Sequence, residues 1–262
     1  MIAQDIAGSV VFSKERCSGS YTRLRKNRWT FNGKARARAI YELSEWAWHR
    51  SSVLKERRIG PARVGDPTIC ASIVFLVLVW QLQTGGSLLI LDQEISSWVQ
   101  AHRSPGLTLL MLLVTHVHAP FGVLVMALLA SAVLASRHRW RDLVLFIVTI
   151  GGGMLLNLAL KQLIHRARPS FETSLVELDS YSFPSGHAIG STLFYASLAL
   201  LLTRTRWHAA SIALGATLVL AVAASRVYLG AHYLSDVAAG IALALVWTCL
   251  CWLIRDLLWK ST

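Results

Sequence analysis

The sequence predicts an all-α fold, a polytopic bundle of about six transmembrane helices preceded by a basic N-terminal segment. Of its 262 residues 54% are hydrophobic and only 15% are charged, whereas a soluble domain carries about 25% charged residues. The apolar residues come in long blocks rather than in alternation, which is typical of membrane spans. No signal-peptide core precedes the first block, so we expect the N-terminal segment to be retained.

Two regions are predicted, a basic cytoplasmic tail at residues 1–67 and a six-helix membrane domain at residues 68–262. Fourteen of the 26 Lys and Arg residues precede residue 68, so the net charge of +12 mainly describes the tail. Its composition favours partial disorder, and Trp46 and Trp48 within residues 39–58 would suit an interfacial helix. Beside a membrane such a tail marks the cytoplasmic side or touches anionic lipid, and we expect no nucleic-acid partner.

The apolar blocks place six spans after the tail. Gly85-Gly86 interrupts the first block and indicates that its helix ends near Thr84. Residues 107–135 are too long for one crossing of an apolar core of about 30 Å, so we expect an interfacial piece before the second span. Residues 92–106 should form a polar connection. The approximate bounds of the spans are 68–91, 115–135, 143–160, 188–203, 208–224 and 233–253.

The distribution of cations predicts the orientation of the bundle. With the N-terminus inside, the cytoplasmic segments hold 21 Lys and Arg residues and the opposite side holds five. Cytoplasmic loops carry the excess of Lys and Arg in membrane proteins. We therefore expect an integral protein of the bacterial inner membrane whose functional face is outside. The five outer cations are Arg103, Lys161, Arg166, Arg168 and Arg226.

A short polar turn, residues 181–188, directly precedes the fourth span. Pro184 suits a turn before a helix, Ser185 suits an N-cap, and Gly186 lets a ligand approach the backbone. Amide groups at such a helix start, with the positive end of the helix dipole behind them, bind phosphate-like anions. His187 lies beside them and could pass a proton at neutral pH.

Two further clusters surround this turn. Lys161 and Arg168 are seven residues apart, so a helix would place them within about 20° of each other, with Pro169 ending the helix. His232 and Asp236 are four apart and would share a face at the start of the sixth span. The carboxylate could then accept the imidazole N–H and leave the other ring nitrogen free to attack.

Arg226 would lie at the end of the fifth span, on the same side as these clusters. Three fixed cations, Lys161, Arg168 and Arg226, would then converge near a helix N-terminus. Such an arrangement holds a dianionic phosphate and stabilises charge on its equatorial oxygens.

The clusters Lys-x6-Arg-Pro, Pro-Ser-Gly-His and Ser-Arg-x5-His-x3-Asp, within residues 161–236, resemble the three-part signature of the type 2 phosphatidic acid phosphatase family. That family also includes vanadium haloperoxidases. The resemblance implies a lipid phosphatase in which His232 is the nucleophile and forms a phosphohistidine, Asp236 orients it, and His187 protonates the leaving oxygen. The phosphoryl group would be bound by Lys161, Arg168, Ser185, Gly186 and Arg226.

No metal and no other cofactor is expected, because fixed cations and amides would supply the positive potential. The substrate class stays open among phosphatidic acid, phosphatidylglycerophosphate and polyprenyl diphosphate. One alternative is transfer of the phosphoryl group to an acceptor other than water. A haloperoxidase is disfavoured by the spans, and a transporter by the gathering of charges at one interface rather than at the midplane.

Other polar residues receive weaker predictions. His165 and Arg166 fill variable positions of the first cluster, so we expect at most a role at the substrate rim. His116 and His118 would point in different directions from a helix, which disfavours a metal pair. For Asn157 we expect a hydrogen bond between helices rather than a catalytic role.

Overall fold

The computed structural model describes residues 62–170, 180–203 and 205–259, and all regular secondary structure in these ranges is α-helical. The all-α prediction is confirmed. The predicted interfacial helix and disordered segment of the tail lie outside the described residues. The helices are α1 Ala62–Thr84, α2 Ser87–Ala101, α3 Pro105–Val117, α4 Pro120–Ser136, α5 Trp140–Ile164, α6 Gly186–Leu201, α7 His208–Tyr228 and α8 Leu234–Trp259.

Four of these helices, α1, α5, α7 and α8, are long and apolar enough to cross a membrane. Helices α3 and α4 meet the same criterion only as a pair, bent by 49° at the break between them. Helix α6 has 16 residues, about 24 Å at 1.5 Å per residue, which is short of an apolar core of about 30 Å. The described residues therefore hold four or five candidate spans, and the predicted count of six is not confirmed.

The break between α3 and α4 follows from a proline. Pro120 occupies the first turn of α4, and Ala119 before it is extended, with φ −59° and ψ 159°. Proline has no N–H to donate and disfavours the helical conformation of the residue before it. The expected division of residues 107–135 into two pieces is thus observed, but the second piece begins at Pro120 rather than near Thr115.

The polar connection predicted for residues 92–106 is wrong, because α2 covers most of it. Gly85 separates α1 from α2 with a φ of 67°, a left-handed conformation that glycine adopts without strain. The two buried residues of α2 are Asp92 and Ser96, four apart and hence on one face. A helix here brings a carboxylate into the interior of the protein, where a loop was expected at its surface.

Helix α6 packs against α5, α7 and α8. Ile189 and Leu193 of α6 share a buried cluster with Leu243 and Ala244 of α8. Gly240 allows this close approach, because a Cβ at this position would lie 2.9 Å from the carbonyl oxygen of Ser185. Small residues at helix contacts are typical of membrane bundles. This packing fixes the start of α6, which carries the Pro-Ser-Gly-His turn, against α8.

The periphery of the bundle is apolar and exposed. Helix α1 packs along α8, yet only 6% of its 18-residue apolar segment from Pro67 is buried inside the protein. Lipid tails solvate apolar side chains as well as other apolar side chains do. The exposed surface is therefore what a bilayer requires, and the protein is an integral membrane protein.

Candidate active site

The three sequence clusters meet at one end of the bundle. This end is formed by the C-terminal turns of α5 and α7, the first turns of α6 and α8, and the segments that join them. The backbone N–H of Ser185 donates to the carbonyl oxygen of Asp236 at 3.0 Å, and Arg168 Nη1 lies 3.2 Å from His232 Nε2. The structure thus brings the predicted site residues into one region.

His232 and Asp236 face each other within this region. His232 Nδ1 lies 3.6 Å from Asp236 Oδ2, which is longer than a normal hydrogen bond. The contact does not come from a shared helix face, because α8 begins at Leu234 and His232 precedes it. The backbone N–H of His232 instead donates to the carbonyl oxygen of Arg226 at 3.3 Å, which holds the turn against the end of α7.

Burial controls the charge of His232. Its side chain is 2% exposed, and desolvation lowers the pKa of His232 to about 4, although Asp236 acts in the opposite direction. The imidazole is therefore neutral at neutral pH. A neutral ring retains one nitrogen with a free lone pair, which a nucleophile needs.

Asp236 is fully buried and firmly held. Its Oδ2 accepts hydrogen bonds from the hydroxyl of Ser182 at 2.7 Å and from the backbone N–H of Tyr233 at 2.9 Å. Its Oδ1 accepts a hydrogen bond from Arg166 Nη1 at 2.5 Å. With three charged or polar donors around it, the carboxylate is fixed in orientation towards His232.

Lys161 and Arg168 reach the site by a route other than the predicted one. Helix α5 ends at Ile164, and His165 adopts a left-handed conformation with φ 51°. Arg168 therefore lies beyond the helix, in the segment without regular secondary structure before Pro169, and the predicted shared helix face is wrong. The residue before a proline is biased away from the helical conformation, which disfavours a helical Arg168.

Both cations bind the segment that leads into α6. Lys161 Nζ donates to the carbonyl oxygen of Tyr181. Arg168 Nε donates to the carbonyl oxygen of Ser180 at 2.6 Å, and its Nη1 donates to that of Ala231 at 2.6 Å. Burial lowers the pKa of Arg168. These bonds hold the Pro-Ser-Gly-His turn against the cations.

Arg226 is the most deeply buried of the three predicted phosphate-binding cations. It is 1% exposed, and its Nη1 donates to Thr115 Oγ1 of α3 at 2.6 Å. Its Nε and Nη2 have no hydrogen-bond partner in the described part of the chain. A buried N–H without a partner costs free energy, so these two groups are available to an anionic ligand.

The start of α6 differs from expectation in one respect. Ser185 is the residue before the helix, but its hydroxyl makes no capping bond and is buried without a partner among the described residues. Its backbone N–H is taken by Asp236, so the hydroxyl rather than this amide is free for a ligand. A Cβ added at Gly186 would lie 3.2 Å from Asn157 Nδ2, so a side chain at this position would press on the Asn157 amide.

His187 follows in the first turn of α6. It is half-buried, and Arg226 and His232 are among its electrostatic neighbours.

The weaker predictions for Asn157, His116 and His118 have different outcomes. Asn157 Oδ1 is buried without a partner among the described residues, so the expected hydrogen bond between helices is not observed there. His118 Nε2 lies 2.9 Å from the hydroxyl of Tyr195, whereas His116 contacts its own helix.

Three buried partners of the site were missed by sequence reasoning. Arg166, expected at most at the rim, instead lies between Asp92 and Asp236 with its side chain 8% exposed. Asp92 was placed in a connection, and Thr115 was noted only as the start of a span. The available signal was Asp92 itself, a carboxylate directly after the apolar run 88–91. The described residues hold no group of three or more His, Cys, Asp or Glu side chains suited to a metal ion.

These features define a class of site, a cluster of buried arginines, histidines and carboxylates at one end of a membrane helix bundle. Comparisons with known proteins identify the family. The sequence model of the family described as PAP2 superfamily matches residues 142–260, which include all the predicted site residues. Phosphatidylglycerophosphatase B of Bacillus subtilis is 30% identical over 179 residues, 66% of this chain and 87% of that protein.

Other relatives match shorter stretches. Decaprenylphosphoryl-5-phosphoribose phosphatase of Mycobacterium tuberculosis is 37% identical over 130 residues, 47% of this chain and 65% of that protein. Among solved structures, the PAP2 type phosphatidylglycerolphosphate phosphatase from Bacillus subtilis has a TM-score of 0.68 at 28% identity, covering 74% of this chain and 98% of that one. Aquifex aeolicus LpxE has a TM-score of 0.52 at 18% identity, covering 62% and 94%, and shows likeness of fold alone.

The chain belongs to the PAP2 superfamily, as its three clusters predicted. The prediction of an integral-membrane enzyme that hydrolyses lipid phosphates is confirmed with it. The gathering of charged residues at one end of the bundle is consistent with an enzyme of this family. A transporter would not explain it.

Proposed function

We propose that this enzyme removes the terminal phosphate of a membrane lipid through a phosphohistidine on His232. The observation that carries the proposal is the position of the His232 ring between Asp236 and Arg168. Nδ1 faces the carboxylate at 3.6 Å, and Nε2 lies 3.2 Å from the guanidinium. With a proton on Nδ1, the lone pair of Nε2 points to where Arg168 would hold a phosphoryl group.

The unpartnered donors support a phosphate at this point. Arg226 offers Nε and Nη2, and Ser185 offers its hydroxyl. Charge-assisted hydrogen bonds to phosphate oxygens would satisfy these groups and outweigh the cost of burying them. Lys161, Arg168 and the backbone at Gly186 would complete the phosphate-binding set.

The proposed reaction has two steps. Nε2 of His232 attacks phosphorus, the bond between phosphorus and the lipid oxygen breaks, and His187 donates a proton to that oxygen. Water then attacks phosphorus and gives a proton to His187, the bond between phosphorus and Nε2 breaks, and inorganic phosphate leaves with His232 regenerated. A positioned acid contributes roughly 10²–10⁴-fold.

Binding of the substrate would favour the protonated form of His187. Burial disfavours a positive charge on His187 in the empty site, and Arg226, His232 and Arg168 add to this effect. A bound phosphate dianion would offset the repulsion from the two arginines, so the imidazolium is more favourable with substrate present than in the empty site.

The relatives indicate which lipids to test. Their printed names refer to phosphatidylglycerophosphate, to decaprenylphosphoryl-5-phosphoribose and to lipid A. Phosphatidylglycerophosphate is the first candidate, because phosphatidylglycerophosphatase B is matched over 87% of its length. Hydrolysis of this lipid in detergent, followed by phosphate release, should exceed that of phosphatidic acid and polyprenyl diphosphate by at least tenfold in kcat/KM. Equal rates on all three lipids would contradict the choice of substrate.

The same assay tests the chemistry. Activity should survive EDTA, because Lys161, Arg168 and Arg226 supply the positive potential in this mechanism. Vanadate, which resembles the five-coordinate phosphoryl transition state, should inhibit. A strict requirement for added magnesium would contradict the proposal.

We also propose that the site faces away from the cytoplasm. The reason is that 21 of the 26 Lys and Arg residues lie in segments on the opposite side, and cytoplasmic segments carry the excess of these residues. In a chain whose four Cys residues are replaced, a Cys at exposed Ser170 should react with an impermeant thiol reagent in intact bacteria. A Cys at exposed Arg137, beyond the other end of α4, should react only after lysis. The reverse labelling would overturn this orientation.

A further inference from the structure

We infer that Asp92 and Arg166 are positioning residues that hold Asp236 in place behind His232. The inference rests on the proposed role of His232 as nucleophile. Arg166 fills a variable position of the first cluster, and Asp92 lies in α2, before the family match that starts at residue 142. We call these two side chains, together with Ser235, the carboxylate clamp.

Arg166 is the centre of the carboxylate clamp. Its Nη1 lies 2.5 Å from Asp236 Oδ1, and its Nη2 lies 2.8 Å from Asp92 Oδ2. The three side chains are 8%, 0% and 1% exposed, respectively. Its guanidinium also lies over the ring of Tyr233, 4.3 Å from the ring centroid. A planar guanidinium that uses both ends in this way cannot rotate without breaking an ion pair.

Ser235 ties the clamp to the first turn of α8. Its backbone N–H donates to Asp92 Oδ1 at 3.0 Å, and its hydroxyl donates to Asp92 Oδ2. Arg166 Nη1 in turn donates to the hydroxyl of Ser235 at 2.7 Å. Asp92 therefore holds both the guanidinium and the start of the helix that carries Asp236, and a carboxylate at a helix N-terminus is favoured by the helix dipole.

The charges of the clamp explain why a second carboxylate is needed. Arg166 alone against Asp236 would form a neutral pair, and the negative potential at His232 would fall. Asp92 adds one negative charge, so that the three buried groups sum to −1. That remaining charge stabilises the positive charge that His232 acquires when Nε2 bonds to phosphorus. Asp92 thus lets Arg166 fix Asp236 without cancelling it.

A purely structural tie between α2 and α8 would use the same contacts, so the test must separate the two roles. Asp92→Asn keeps the size of the side chain and removes its charge. We expect kcat to fall by about 10–100-fold, as for other partners that orient a reacting group, with KM for lipid changed less than threefold. Glu94→Gln, the same change at an exposed position of α2, is the matched control and should leave kcat unchanged.

A double-mutant cycle distinguishes a positioning role of Asp92 from a purely structural one. If Asp92 acts through Asp236, the loss caused by Asp92→Asn should shrink to less than threefold in an Asp236→Asn background. A structural role predicts the same loss in both backgrounds, with a lower melting temperature. Either that additivity or an unchanged kcat in Asp92→Asn would overturn the inference.

The same variants also distinguish a failure of this inference from a failure of the proposed function. If Asp236→Asn alone keeps the wild-type kcat, the His232–Asp236 pair is not catalytic and the proposed function fails. If Asp236→Asn is impaired but Asp92→Asn is not, only the clamp fails. Should Asp92→Asn not fold, Arg166→Lys keeps the charge and loses the two-ended geometry. It should lower kcat without raising KM, and again only when Asp236 is present; a loss that persists in Asp236→Asn would overturn the clamp.

Discussion

The two halves of the described chain serve the site in different ways. Helices α5–α8 and the segments joining them carry the proposed nucleophile, the proposed acid and the three cations proposed to bind phosphate. Helices α1–α4 carry none of these, yet they supply Asp92 and Thr115. Asp92 pairs with Arg166 at 2.8 Å, and Thr115 accepts a hydrogen bond from Arg226 at 2.6 Å.

The difference separates reacting groups from the groups that hold them. Asp92 binds the buried Arg166, which in turn holds Asp236. Thr115 binds the buried Arg226 through Nη1 and leaves its Nε and Nη2 without a partner among the described residues. Groups that position a reacting side chain matter because catalysis depends on its orientation within fractions of an ångström. Substitutions in the two halves should therefore differ in size and in kind.

The largest effect should follow from His232→Ala. Loss of a nucleophile costs several orders of magnitude, so kcat should fall at least ~10³-fold. Acid-labile phosphate trapped during turnover should be present on the wild-type chain and absent from the variant. His116→Ala, at an exposed position that contacts its own helix, is the matched control. Substantial activity in His232→Ala would contradict the proposal that the C-terminal half carries the nucleophile.

Arg226→Met should have the next largest effect. Removing one donor to a developing oxyanion costs about 10²–10³-fold in kcat, and Nε and Nη2 of Arg226 are aimed at the phosphate in the proposed site. Inhibition by vanadate should weaken in parallel. Arg137→Met, at an exposed position beyond the end of α4, should change neither quantity. A wild-type response to vanadate in Arg226→Met would contradict the assignment.

Thr115→Val sharpens the comparison from the other half. It removes the acceptor that fixes Arg226 Nη1 but leaves the cation in place, so we expect kcat/KM to fall only about tenfold, or about 1.4 kcal/mol. The double variant with Arg226→Met should be no worse than Arg226→Met alone. Thr217→Val, exposed on α7, serves as control. Additive losses would mean that Thr115 acts independently of Arg226.

The smallest effect concerns pH. Burial lowers the pKa of His232 to about 4, and protonation of the ring removes its lone pair. The free enzyme should therefore lose kcat/KM only as pH falls through about 4, not through the ordinary value of about 6.5. At pH 5.5 the loss from this group should be below about 10%. Samples returned to pH 7 should recover, which excludes unfolding. A reversible acid limb near 6.5 would contradict the effect of burial on His232.

Much of the architecture could be predicted from the apolar blocks and from the residues that interrupt them, such as Gly85. Helix α7 begins at His208 as expected, and the interruption at Gly85 does end α1 at Thr84. The spacing of the three clusters along successive helices was enough to predict that they meet at one end. Local signals are enough to predict these helices, because a helix satisfies all its backbone hydrogen bonds within its own segment wherever the apolar run extends.

The parts that could not be predicted depend on contacts between distant segments. Whether Arg166 lies at the rim or inside is decided by Asp92, 74 residues earlier, and no local pattern encodes that pairing. The helix face assumed for Lys161 and Arg168 failed because the chain leaves the helix at His165. The amide of Ser185 was assigned to the ligand, but the carbonyl oxygen of Asp236 takes it in the folded chain.

The buried, unpartnered nitrogens of Arg226 have a thermodynamic consequence. Nε and Nη2 have no partner among the described residues, and their unsatisfied N–H groups make the empty enzyme less stable than the occupied one. Any anion that fits the site therefore raises the free energy of unfolding by RT ln(1 + [L]/Kd). At a hundredfold excess over Kd this gives about 2.7 kcal/mol. Inorganic phosphate, the product of the proposed reaction, would thus be at once an inhibitor and a thermal stabiliser, with one dissociation constant governing both.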